Sequence, residues 1–72
     1  MEKEVKLGKY QHFKGKFYEV IGIAKNSENS EEEFVVYKAL YEGNQLWIRP
    51  KQMFLENVKI DGKEVERFRF VE

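Results

Sequence analysis

Apolar and polar side chains alternate in short bursts along this chain, and clusters of turn-forming residues separate the bursts. Lys9 to Phe13 alternates, Lys14-Gly15-Lys16 interrupts, and FYEVIGIAK resumes from Phe17 with β-branched and aromatic residues. Alternation of period two on both sides of a glycine predicts a hairpin. NSENSEEE, Asn26 to Glu33, has no apolar side chain and reads as an acidic connecting loop,. Its Ser30 and Glu33 have the spacing of a capping box on a brief helical turn,.

FVVYKALY, Phe34 to Tyr41, is the strongest strand signal, and Glu42-Gly43-Asn44-Gln45 joins it to LWIRP at hairpin length,. Pro50 has no amide to donate to a ladder and suits the first position of a helix. A short helical or 3₁₀ turn is therefore expected over Pro50 to Glu56, with Met53 and Phe54 facing the core. Asp61-Gly62 lies between two alternating segments and predicts a second tight hairpin,. Five or six short strands with one helical turn and no long amphipathic helix predict an all-β fold, a small SH3-like antiparallel barrel or roll.

Length limits the chain to one domain over 1–72, with residues 1–6 expected as a flexible tail,. A domain of this size buries only about 60% of the surface of its unfolded chain, so the eleven aromatic side chains must carry much of the core,. The absence of cysteine excludes disulfides and thiolate metal sites and points to the reducing cytoplasm,. MEKEVKLGK lacks the apolar centre of a signal peptide, and no apolar run nears the roughly 20 residues that cross a bilayer, so no membrane association is expected,.

Thirteen basic and thirteen acidic residues cancel, which removes the overall positive field typical of proteins that hold nucleic acid through phosphates,. The distribution is uneven. Residues 1–25 carry six lysines against three glutamates, and residues 26–33 carry four glutamates and no base.

Several residues together suggest a family. Gly8-x-Tyr10-x-His12-Phe13-Lys14-Gly15, Tyr18-x-Val20, Val35-Val36-Tyr37, Leu40-Tyr41, Trp47-Ile48-Arg49-Pro50, Met53-Phe54 and Gly62 with Arg67-Phe68 resemble the bacterial domain-of-unknown-function family 1653 over nearly the whole chain after Leu7. The resemblance implies a stand-alone SH3-type roll and assigns no reaction, ligand or partner. One segment departs from it: where members usually read Ser-Glu-Thr ahead of the VVY strand, this chain has Ser27-Glu28-Asn29 and a loop one residue longer.

The inventory of reactive groups is thin. A triad would have to combine His12, Ser27 or Ser30, and a glutamate,. One histidine and a glutamate-rich segment do not supply a metal site, and the scattered glycines do not form a phosphate loop; no cofactor is expected,. Basic and aromatic residues interleave in YQHFKGKFY and in Arg67-Phe68-Arg69-Phe70, as single-stranded nucleic-acid binding requires, but strand alternation would turn Phe68 and Phe70 inward and the arginines outward,.

Side-chain parity yields a different candidate. Tyr10 and His12 share one strand face, Val35, Tyr37, Ala39 and Tyr41 another, and Trp47 and Arg49 a third,. If these faces meet, Tyr10, His12, Tyr37, Tyr41, Trp47 and Arg49 make one amphipathic aromatic surface with a fixed cation. The competing structural reading makes the tyrosines the core of a curled sheet and leaves Arg49 stacked on Trp47 and paired with a glutamate. The functional expectation is a non-catalytic binding module for an extended peptide or protein partner, either monomeric or weakly homodimeric. The alternatives are a binder of single-stranded nucleic acid, which the neutral charge disfavours, and a small hydrolase using His12.

Overall fold

The computed structural model describes residues 5–41 and 43–72. Seven strands and one helix follow in the order β1 (Gly8–His12), β2 (Phe17–Asn26), β3 (Asn29–Ala39), β4 (Leu46–Pro50), α1 (Lys51–Phe54), β5 (Asn57–Ile60), β6 (Lys63–Glu66) and β7 (Phe68–Phe70). Five of them form one antiparallel sheet in the order β4-β3-β2-β1-β7, and β5 and β6 form a separate hairpin. The all-β class and the turn after Pro50 agree with the alternation pattern. The strand count does not, because residues 63–70, one alternating segment in sequence, bend at Arg67 and divide between two sheets.

The acidic segment differs more. Asn26 pairs with Asn29 across Ser27-Glu28, so residues 29–33 begin β3 and the expected loop over 26–33 is the tip of a long hairpin. Asparagine side chains replace apolar packing there. Asn26 Oδ1 accepts from the Glu28 amide at 2.8 Å, Asn29 Oδ1 accepts from the Glu31 amide at 3.2 Å, and Asn26 Nδ2 donates to Glu32 at 2.8 Å. Such side-chain bonds offer the backbone a turn that a hydrophobicity pattern does not register. The capping box on Ser30 and Glu33 is accordingly absent, both residues being in β3.

The other turns follow local chemistry. Gly15 adopts φ +106° and donates to the His12 carbonyl at 2.7 Å, closing the first hairpin. Asp61 and Gly62 both have positive φ, as a two-residue hairpin of the predicted kind requires,.

The core lies against one face of the large sheet: Tyr10, Val20, Val35, Tyr37, Phe54 and Phe68 are buried together. α1 supplies only Phe54, since Met53 is 44% exposed, contrary to its expected core position. A four-residue helix turns one side chain into the core at this angle, and Phe54 stacks on Phe68 at 4.2 Å with a 7° interplanar angle. Of the tail expected over 1–6, residues 1–4 lie outside the described residues, whereas Val5 packs against the core and the Lys6 carbonyl accepts from the Tyr10 hydroxyl at 2.9 Å.

Candidate functional site

The first hairpin brings Tyr18 opposite Tyr10, and β1 pairs His12 with Phe68 of β7. On the other side, β3 and β4 pair Tyr37 with Trp47 and Val35 with Arg49. Directly opposed residues in an antiparallel ladder project from the same face. These ladders therefore gather histidine, tyrosine and arginine on one face of the sheet.

Four of the six candidate residues meet there. The Tyr37 hydroxyl accepts from Arg49 Nε at 3.3 Å, and the guanidinium carbon of Arg49 lies 5.6 Å from the Phe68 ring centre. His12 meets the same Phe68 ring edge-on at 4.9 Å and the Tyr18 ring at 6.2 Å. Tyr41 joins through a 2.7 Å hydrogen bond between its hydroxyl and that of Tyr18, whose ring also packs against Tyr37 at 5.4 Å. His12, Tyr18, Tyr41 and Arg49 are half-buried, and Tyr37 and Phe68 form the floor.

The other two candidates lie elsewhere. Tyr10 is only 6% exposed and packs edge-on against Phe54 and Phe70, so it belongs to the core behind the floor. Trp47 shares the face of Tyr37 but is 48% exposed, and no ring among the described residues stacks on it. The stacking of Arg49 on Trp47 anticipated from sequence is replaced by contact with Tyr37 and Phe68.

Sequence reasoning missed Tyr18 and the role of Phe68. A signal for Tyr18 was present, because a turn centred on Lys14-Gly15 sets it opposite Tyr10. No local signal relates Phe68 to His12, which are far apart in sequence and meet through β1–β7 pairing. Phe68 is buried as alternation predicts, while Phe70, expected inward too, is 39% exposed at the outer strand of the sheet. Arg67, expected outward, is half-buried at the bend, pairs with Glu56 at 3.4 Å and has a buried Nε without a hydrogen-bond partner among the described residues.

Lys14, Lys16 and Arg49 stand near these rings beside the Arg67–Glu56 pair, and Glu66 borders the neighbouring cleft. His12 is held below its ordinary pKa, first by burial and then by the positive charges of Arg49, Arg67 and Lys14. Its Nδ1 accepts from the Lys14 amide at 3.2 Å. Lys16 Nζ sits 4.7 Å from the Tyr41 ring centre. Burial, and next the hydrogen bond with Tyr41, push the Tyr18 hydroxyl up to about 12, so it remains a neutral donor and acceptor. Arg49 has no carboxylate partner among the described residues.

One cleft adjoins the site at His12, and a second lies at the far end of β3. The first, about 630 Å³, runs between the first hairpin turn and the β5–β6 hairpin, where His12 and Lys14 face Ile60 and Val65. The other, about 680 Å³, lies between the acidic start of β3 and α1 and is bordered by Glu31, Glu32 and Lys51. The described residues contain no cluster of metal-ligating side chains and no helix long and apolar enough to cross a membrane.

The architecture defines a small antiparallel all-β domain with His12, Tyr18, Tyr37, Tyr41, Arg49 and Phe68 clustered against its sheet. The chain belongs to domain-of-unknown-function family 1653, whose pattern matches residues 8–70. It is similar to the crystal structure of a protein of that family from Bordetella bronchiseptica, with 31% identity, a TM-score of 0.84, and coverage of 94% of this chain and 88% of the other. No curated protein matches it.

Proposed function

We propose that this chain is a non-catalytic binding module of the cytoplasm whose ligand is an extended peptide segment lying across His12, Tyr18, Tyr41, Trp47 and Arg49. The observation that carries the reading is the state of Trp47 and Arg49. A large aromatic side chain 48% exposed lies two residues along β4 from a half-buried guanidinium bonded to Tyr37, and both are on one strand face. Exposed aromatics next to oriented donors are what peptide grooves use, with Tyr and Trp giving contact area at low entropic cost.

The separation of the reactive groups favours binding over hydrolysis. His12 lies at the first hairpin, whereas Ser27 and Ser30 lie at the opposite end of β2, roughly 30 Å away for a ten-residue strand,. Single-stranded nucleic acid is the weaker reading, because Tyr18, Tyr37 and Phe68 already engage one another edge-on rather than offering free faces for base stacking,.

An NMR titration with proline-rich peptides and with short single-stranded oligonucleotides tests the reading through the Trp47 indole and Arg49 Nε signals. Peptide binding should move both at modest salt dependence. Steeply salt-dependent binding of the oligonucleotide alone would replace this function with nucleic-acid recognition.

A further inference from the structure

Arg49 lies between β3 and Phe68 with a hydroxyl as its hydrogen-bond partner and no carboxylate among the described residues. A half-buried guanidinium ordinarily pairs with an acid, since the desolvated charge is costly alone. The groups around it add to the field. Lys14 and Arg67 both act on His12, and Lys16 sits over Tyr41. The four glutamates of residues 28–33 stand at the far end of the long hairpin, where Glu33 pairs with Lys51 at 3.3 Å.

We propose that the cluster around Arg49 is an acceptor for one carboxylate of the bound peptide, with Arg49 as its principal partner and the Tyr41 and Tyr18 hydroxyls completing the contact. This rests on the peptide-binding reading and specifies the ligand's chemistry. A guanidinium offers parallel N–H donors to a carboxylate, and Nε already faces Tyr37, which leaves the terminal nitrogens for the ligand,. Arg49, Lys14, Lys16 and the Glu56-paired Arg67 are the cations met here, in a chain whose thirteen basic and thirteen acidic residues cancel, and so short a set suits one anionic group better than a run of phosphates,. A carboxylate arriving here would oppose the cations that hold the His12 pKa down and so raise it,.

The test compares two capped hexapeptides, Pro-Glu-Pro-Pro-Glu-Pro and the same peptide with glutamine at both glutamates, by NMR titration of the intact chain. The acidic peptide should bind about tenfold more tightly, the effect of one charge-assisted contact, and should raise the pKa of His12. Arg49→Met should abolish the preference. Lys16→Gln, at an exposed position outside the fold's core, should reduce it with folding unchanged. Equal affinity for both peptides overturns the carboxylate assignment and leaves the binding module standing. If neither peptide moves Trp47 or Arg49, the peptide-binding reading itself fails. An oligonucleotide that outcompetes the acidic peptide would overturn the assignment in favour of phosphate.

Discussion

At Gly8 the backbone runs at φ +133°, and a Cβ there would collide with the Glu72 carbonyl. The close approach exists because Lys9 pairs with the C-terminal residues: its amide donates to Glu72 at 2.6 Å and its carbonyl accepts from Val71 at 2.8 Å. Gly8→Ala combines a steric clash with a backbone conformation that L side chains rarely adopt, so it should cost about 2 kcal/mol or more in urea denaturation. His12 supplies a second expectation at this scale. Its folded pKa lies below the unfolded value, so the unfolded chain binds the proton more readily, and stability present above pH 6.5 is lost as pH falls toward the folded pKa,. The melting temperature should therefore decline on acidification below 6.5, and His12→Gln should flatten that decline. Both positions show the limit of local reading. His12 could be assigned to a face by parity, but the cations around it come from β4, the Arg67 bend and the first turn, which only folding assembles.

Among the elements, β4 is the edge of the large sheet and presents Leu46, Trp47 and Ile48 in succession, at 62%, 48% and 63% exposure. The Ala39 amide donates to the Gln45 carbonyl, which fixes the ladder's alternation. Trp47 and Arg49 turn their amides toward β3, and Leu46, Ile48 and Pro50 face outward,. Proline, without an amide, therefore costs this ladder nothing and shortens the free edge. Replacing Leu46 and Ile48 with lysine should change stability by less than about 0.5 kcal/mol for each site. A loss of several kcal/mol in chemical denaturation would show that these side chains are covered in solution. Strand existence here was legible from LWIRP and from the loop before it, whereas edge position was not, since it depends on which strand fails to find a neighbour.

For the whole molecule, the glutamate-rich tip of the long β2–β3 hairpin lies at the opposite end of β2 from the first hairpin turn, and the sheet and α1 share the aromatic core. Phe54 closes that core from α1, stacking on Phe68 and meeting Tyr10 edge-on. Phe54→Ala should cost about 3–5 kcal/mol, comparable to the whole stability of a small domain, and leave the chain largely unfolded at room temperature. Near-UV circular dichroism would report the loss, and a native spectrum would show that Phe68 and Tyr37 hold the core without it.

The sequence by itself determined the class of fold, the hairpins at Gly15 and Asp61-Gly62, the helical turn after Pro50, and the parity that places Tyr37, Trp47 and Arg49 on one side. These depend on neighbours in the chain, through turn dihedrals and the two-residue repeat of an extended backbone. Tertiary structure alone decided that Tyr10 is core, that Tyr18 and Phe68 complete the cluster around His12 and Arg49, and that the acidic segment is paired strand. Those outcomes depend on sheet curvature and on contacts between β1 and β7 or between α1 and the sheet, where distant residues compete for the same space.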